Sequence, residues 1–378
     1  MKPFLLLLLL TLSGLCYAQS EFAPNDNGGK STWSVAASWS HGRIIKHNSR
    51  FKPIVTESSS VWELYVGRHL AGKKSWHERL NYPIVGMAFV YADLGDTAIF
   101  GKGFGMMATA MFQTRFKKWH INYRLGTGLG YLSRFYHPVT NSTQNAIGSH
   151  VNNVTQVMLG VAYHIKPQLQ ASLLFNFTHF SNGRTQTPNL GINIPALGIG
   201  LYYQPQMPKY RTDTLGKVQN NLSKRIHFGI KIGQGVQEWD EFGGPKYPIS
   251  VNQLYIAKRI SPQWQLHLGV ESSYYWSNHY IGIIHGIYTP ETAYKAALKI
   301  SPYLGAELFL GKVSLYASVG GYVYNKAFVR GNVPTKLGLQ YYISPTDRRV
   351  GRQWYVGAYL KSHFAVADYT ELGMGYLF

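Results

Sequence analysis

Residues 168–181 read "QLQASLLFNFTHFS". Leu169, Ala171, Leu173, Phe175 and Phe177 hold the odd positions, while Gln168, Gln170, Ser172, Leu174, Asn176 and Thr178 hold the even ones. Successive side chains of a strand point to opposite faces, so this segment has one apolar and one largely polar face. The odd face suits contact with lipid. Segments of roughly ten residues with the same period-2 alternation recur along the chain, separated by polar or Gly/Pro/Asn-bearing connections. In the first half they lie near 32–41, 59–67, 82–92, 104–113, 118–132, 150–164, 168–181 and 193–203. In the second they lie near 225–233, 250–260, 263–275, 292–301, 303–322 (room for two), 335–344, 353–365 and 369–378. Helical periodicity is expected nowhere.

Composition agrees with strands that face lipid and each other. Charged residues make up 14% of the chain, where about 25% is ordinary. Aromatics reach 15%, and 28 tyrosines and 39 glycines favour a transmembrane barrel over a soluble sandwich. No stretch after the leader approaches the 18 or so apolar residues of a spanning helix. The leader itself is Lys2, the apolar run Phe4 to Leu10 extended by Leu12 and Leu15, and a small residue at Ala18. It reads as a secretory signal cleaved after Ala18. A lipoprotein signal on Cys16 is the weaker alternative, because bulky Leu15 precedes that cysteine. Cleavage removes the chain's single cysteine, which excludes disulfides and thiol catalysis. The formal net charge of +20 drops by one with Lys2. In an exported chain such an excess points to an anionic membrane surface and away from nucleic acid.

The chain closes on "ELGMGYLF" (371–378), where Glu371, Gly373, Tyr376 and Phe378 follow the pattern polar-x-Gly-x-x-aromatic-x-aromatic. This resembles the terminal signal by which outer-membrane barrels are handed to their assembly machinery. "ALGIGLYY" (196–203) echoes it at the end of the first half. The two halves therefore read as a diverged duplication of about eight antiparallel strands each, sixteen in all. The polar stretch 204–225 would link two tandem barrels or form one connection in a single large barrel, and both arrangements stay open. Short "RFKKW" and "IKPQ" alternate with long polar connections as a barrel requires, with the exception of "HLAGKKSWHER" (69–79).

Continuing the odd parity of the opening stretch, His179 and Ser181 point outward at the end of the strand nearest a long loop. Asn193 opens the next strand on the same parity as Pro195, Leu197, Ile199 and Leu201. Polar side chains on the outer wall of a barrel are unfavourable unless they serve a purpose. A membrane-resident substrate would supply one. Residues i and i+2 of a strand share a face about 6.5–7 Å apart, so the His179 imidazole can reach the Ser181 hydroxyl and take its proton. Asn193 across the hairpin could orient the ring. The plainer reading is a polar strand end at the headgroup boundary.

His179-Phe-Ser181-Asn182 followed by Pro188-Asn189-x-Gly191-x-Asn193 resembles the active-site signature of the outer-membrane lipid A 3-O-deacylases, the PagL-like acyloxyacyl hydrolase family. The likeness covers residues from about 30 to 203. It implies an eight-stranded barrel in the outer membrane of a Gram-negative bacterium that removes an ester-linked acyl chain from lipid A of lipopolysaccharide without a cofactor. Ser181 would be the nucleophile, His179 the base, Asn193 its orienting partner and Asn182 an oxyanion donor. The family's familiar members carry a glutamate where this chain has Asn193, and a neutral amide stabilises an imidazolium less.

On this reading the chain divides into a signal over 1–18, a deacylase-like half over 19–203, a linker over 204–225 and a catalytically silent half over 226–378. In the second half "KSHFAVADYTELG" repeats the histidine as His363, but Ala365 stands two residues later and the parity turns His363 inward. Glu238, Asp240 and Glu241 before Gly243-Gly244 read as a solvated loop in preference to a calcium site. Gly126-x-Gly128-x-Gly130 is strand packing, since a phosphate loop needs a following helix. His137, His150 and His164 lack zinc-ligand spacing. The competing class is a non-enzymatic barrel, a pore or a scaffold.

Overall fold

A computed structural model describes residues 30–210, 225–239, 241–327, 331–343, 352–363 and 366–378. The expected signal, most of the expected linker, Asp240 and Ala365 lie outside the described residues. Eight strands build the first half: β1 (Trp33–Gly42), β2 (Ser59–His69), β3 (Ile84–Asp93), β4 (Lys102–Phe116), β5 (Trp119–Leu132), β6 (Val151–Lys166), β7 (Leu169–Ser181) and β8 (Ile192–Tyr203). They pair antiparallel in sequence order, and β8 returns to pair with β1, closing a barrel.

The second half contains β9 (His227–Glu238), β10 (Lys246–Arg259), β11 (Trp264–Tyr275), β12 (Leu298–Leu310), β13 (Val313–Gly320), the two-residue β14 (Tyr324–Asn325), β15 (Pro334–Tyr342), β16 (Gln353–His363) and β17 (Val366–Leu377). The β17–β9 and β11–β12 pairings close a second ring of eight, with β14 as a short addition beside β12. The choice left open between one large barrel and two is thus resolved as two eight-stranded barrels. They form separate compact units, and the segment 182–190 groups with the second.

Period-2 alternation becomes wall and lumen. Leu173 is 69% exposed on the outside of β7, whereas Asn176 is 2% exposed inside. Eight strands enclose a space that side chains can just fill, and polar side chains fill it here. In the first barrel Arg124 donates to Glu63 Oε2 (2.5 Å) and Gln156 Oε1 (2.7 Å), and Gln156 donates to Thr178 (3.2 Å). In the second, Lys336 bridges Glu271 (2.6 Å) and Glu371 (2.5 Å), Lys361 donates to Glu271 (2.5 Å), and Lys231 pairs with Glu371. Burying such charges is tolerable because each is paired and hydrogen-bonded.

Two expectations need correction. Helices occur, as α1 (Ser75–Arg79), α2 (Trp276–Ile284) and α3 (Tyr294–Ala297). All three lie in connections, where no sheet pairing competes with local hydrogen bonding. The strand expected near 292–301 is α3 followed by the first residues of β12. The long connection 69–79 holds α1, and just beyond it Tyr82 packs against Tyr210 with ring centroids 4.5 Å apart.

Candidate active site

β7 and β8 form the hairpin that carries the candidate residues. His179 lies directly opposite Asn193 in the antiparallel register. Facing side chains in such a pair stand close enough for a direct hydrogen bond. His179 Nδ1 and Asn193 Oδ1 are 2.6 Å apart. An amide oxygen only accepts, so Nδ1 carries the proton and donates it. Nε2 then bears the lone pair that a general base needs. Ser181 follows two residues later on the same outward parity and is 7% exposed, as is Asn193. Both side chains are therefore largely buried.

Gly191 gives the imidazole its room. Its φ is +83°, in the left-handed region that glycine occupies freely, and a Cβ there would sit 2.6 Å from His179 Cε1. The Gly191 amide donates to Ala146 O at 2.9 Å, which fixes the turn into β8. Asn182 begins the segment 182–190. Its Oδ1 accepts from the Arg184 amide (2.9 Å) and its backbone N–H donates to Asn189 Oδ1 (3.1 Å). The side-chain carbonyl of Asn182 is thus engaged by the Arg184 amide.

The outer wall beside the hairpin is also polar. Thr155 pairs with His179, and Asn153 with Ser181, across β6 and β7. Asn153 Nδ2 donates to Thr127 Oγ1 (3.0 Å), and Thr155 Oγ1 donates to Asn153 Oδ1 (2.8 Å). Sequence reasoning passed over these residues. Their signal was present, since Asn153 and Thr155 interrupt an odd parity otherwise made of Val151, Val157, Leu159 and Val161.

The structure also revises the acidic group at 238–241. Glu238 is 1% exposed and accepts from the Thr187 amide and, at 2.9 Å, from its hydroxyl. It is a buried acceptor inside the second unit and no part of a solvated loop. His363 faces the lumen, with Nε2 2.8 Å from Tyr322 Oη and Nδ1 3.8 Å from Asp368 Oδ2.

Residues 61–203 match the profile of lipid A 3-O-deacylase (PagL). The first barrel belongs to the PagL family. Residues 223–378 match the acyloxyacyl hydrolase C-terminal domain, so each barrel matches its own hydrolase-family profile. Among solved structures, the outer membrane enzyme PagL is 16% identical over 44% of this chain and 97% of that chain, with a TM-score of 0.31. A Rhodopseudomonas blastica porin triple mutant is 10% identical over 92% of this chain and 100% of that one, with a TM-score of 0.18. No curated protein sequence matches the chain.

Proposed function

We propose that the protein resides in the outer membrane and hydrolyses an acyl ester of lipid A by a serine mechanism. The observation that carries this reading is the 2.6 Å bond between His179 Nδ1 and Asn193 Oδ1 on a lipid-facing wall, with Ser181 two residues away. The match of residues 61–203 to the lipid A 3-O-deacylase profile points to the substrate class. The apolar exterior, with Leu197 70% exposed, gives the acyl chain a surface on which to lie.

In the proposed reaction His179 Nε2 takes the Ser181 hydroxyl proton as Oγ attacks the ester carbonyl. Charge moves onto the carbonyl oxygen, where the Asn182 side-chain amide would donate to it. Collapse breaks the ester C–O bond, and His179 returns its proton to the departing sugar oxygen. The same imidazole then takes a proton from water as it attacks the acyl-serine carbonyl, the C–Oγ bond breaks to release the fatty acid, and His179 returns the proton to Ser181 Oγ. Proton and leaving group balance in both halves without a cofactor.

A pore is disfavoured by the lumens, which are crossed by ion-paired side chains in both barrels. The test against a scaffold is the lipid A mass spectrum of cells expressing the protein or its Ser181→Ala variant. Loss of one acyl chain should accompany the active protein and not the variant. Identical spectra from the two, at equal abundance of folded protein, would defeat the proposal.

A further inference from the structure

The chain does not leave the barrel wall where β1 ends. Arg43 N donates to Pro195 O (3.4 Å), and Ile45 N donates to Asn193 O (3.0 Å), so the β1–β8 pairing continues past Gly42. Odd residues of this strand face outward, as the 41% exposure of Trp39 and the 40% exposure of Ile45 record. Two residues further along the same parity stands His47. Its Nδ1 lies 2.8 Å from Asn193 Nδ2, while Asn193 Oδ1 lies 2.6 Å from His179 Nδ1. The amide is thus held at both ends by imidazoles.

We infer that His47 is a positioning residue that fixes the direction of the Asn193 amide and, through it, the tautomer of His179. This inference rests on the serine mechanism proposed above. An asparagine amide has an accepting and a donating end of nearly equal shape, so its contact with His179 alone does not set its direction. Turned about, Nδ2 would donate to His179 Nδ1. The ring proton would then sit on Nε2, where it blocks removal of the Ser181 proton. His47 breaks the tie in the tautomer inferred for it. As the neutral Nε2–H tautomer it offers only a lone pair at Nδ1, which accepts from an amide NH2 and repels an amide oxygen. Ile45 O stands 3.4 Å from His47 Nδ1 and could accept only from the opposite, Nδ1–H tautomer, whereas the 2.8 Å contact to Asn193 Nδ2 requires the lone pair there. The Phe51 ring, 6.2 Å from the imidazole centroid, packs beside it.

This gives a physical reason why the third position can be asparagine. A carboxylate accepts at both oxygens and needs no partner to choose its direction. Asparagine needs one, and His47 is placed to be it.

The test compares His47→Phe, which keeps a ring but offers no acceptor, with His47→Gln, which keeps an acceptor. Both are made in the full chain in detergent, with Asn193 and with Asn193→Glu. With that preference gone the two amide directions become about equally populated, so kcat on lipid A should fall about twofold in His47→Phe with KM little changed. His47→Gln should recover most of the loss, and with Glu at 193 the Phe substitution should matter little. Equal loss in both backgrounds would mean that His47 only supports the loop, and undiminished kcat in His47→Phe would also overturn the inference. The 15N spectrum of labelled histidine supplies a readout that does not depend on turnover. His179 should be the Nδ1–H tautomer in the parent and a mixture in His47→Phe. If the parent proves inactive on lipid A, the proposed function fails, while an unchanged tautomer in His47→Phe overturns the inference itself.

Discussion

Gly191→Ala separates a site built around His179 from a polar strand end. The added Cβ would lie 2.6 Å from His179 Cε1, whereas carbon atoms rest about 3.5–4 Å apart. The ring must therefore retreat by roughly 1 Å. It cannot do so freely, because Nδ1 is tied to Asn193 Oδ1 at 2.6 Å. A misplacement of about 1 Å in a reacting group lowers rate on the order of a hundredfold. Backbone strain adds a separate effect, since Gly191 has φ +83° and a left-handed alanine costs about 1–2 kcal/mol. Gly191→Asn distinguishes the two, because asparagine tolerates that φ more readily while carrying the same Cβ. Acyl release from purified lipid A would be followed by mass spectrometry, with folding checked by heat-modifiable migration. Both variants should fold and lose about two orders of magnitude in kcat. A folded Gly191→Ala protein with parental activity would refute the reasoning, and Gly191→Asn activity near parental would trace the loss to strain instead of ring displacement.

Ser181→Ala and His179→Ala should each abolish most acyl release, and combining them should add little because such residues act as a unit; additive losses in the double variant would argue against a shared step. Asn193→Ala should weaken turnover less than either, and Asn193→Glu should raise it above the parent by stabilising the imidazolium. His363→Ala should leave hydrolysis near the parental rate, since that ring faces the second lumen against Tyr322; a loss equal to that of His179→Ala at the same abundance would contradict it. Glu63→Ala leaves the Arg124 cation without its carboxylate partner at 2.5 Å and should lower unfolding stability by about 3–5 kcal/mol. The Glu63→Met/Arg124→Met double variant should recover much of that in urea titrations in micelles, and a double variant no more stable than the single would count against a pairing effect.

Much of the wall was legible because lipid imposes a rule on every second residue. Leu173, Leu197 and Leu129 are 69%, 70% and 67% exposed, and a polar residue on their parity stands out as an exception. That is how His179, Ser181 and Asn193 are found from the sequence, and how Asn153 and Thr155 could have been. His47 was not legible. It lies beyond the end of β1, and only the continued pairing of Arg43 and Ile45 with β8 extends the parity to it. The helices escaped for a related reason, since segments such as Ser75–Arg79 are too short to show a period. Closure into two barrels depends on which distant strands meet, and alternation within a strand says nothing about that.

The echo between 196–203 and 371–378 has a structural meaning. β8 and β17 are the strands that close their respective barrels, against β1 and β9. Their outward residues are interchangeable in kind: Leu197, Ile199, Leu201 and Tyr203 in one, Leu372, Met374, Tyr376 and Phe378 in the other. The inward residues differ. Ala196 and Tyr202 answer to Glu371 and Leu377, and Glu371 anchors Lys231 and Lys336 inside the second lumen. Lipid holds the outer face of both barrels to one chemistry, whereas a lumen need only be filled and its charges paired. Membrane residence constrains the outward positions more tightly than the inward ones, and a polar residue on the outward parity calls for a reason of its own. In the first barrel His179, Ser181 and Asn193 are outward polar residues of this kind, and the proposed hydrolysis gives them their role. The second barrel keeps its histidine at 363 on the inward side, where it meets Tyr322 and not the membrane.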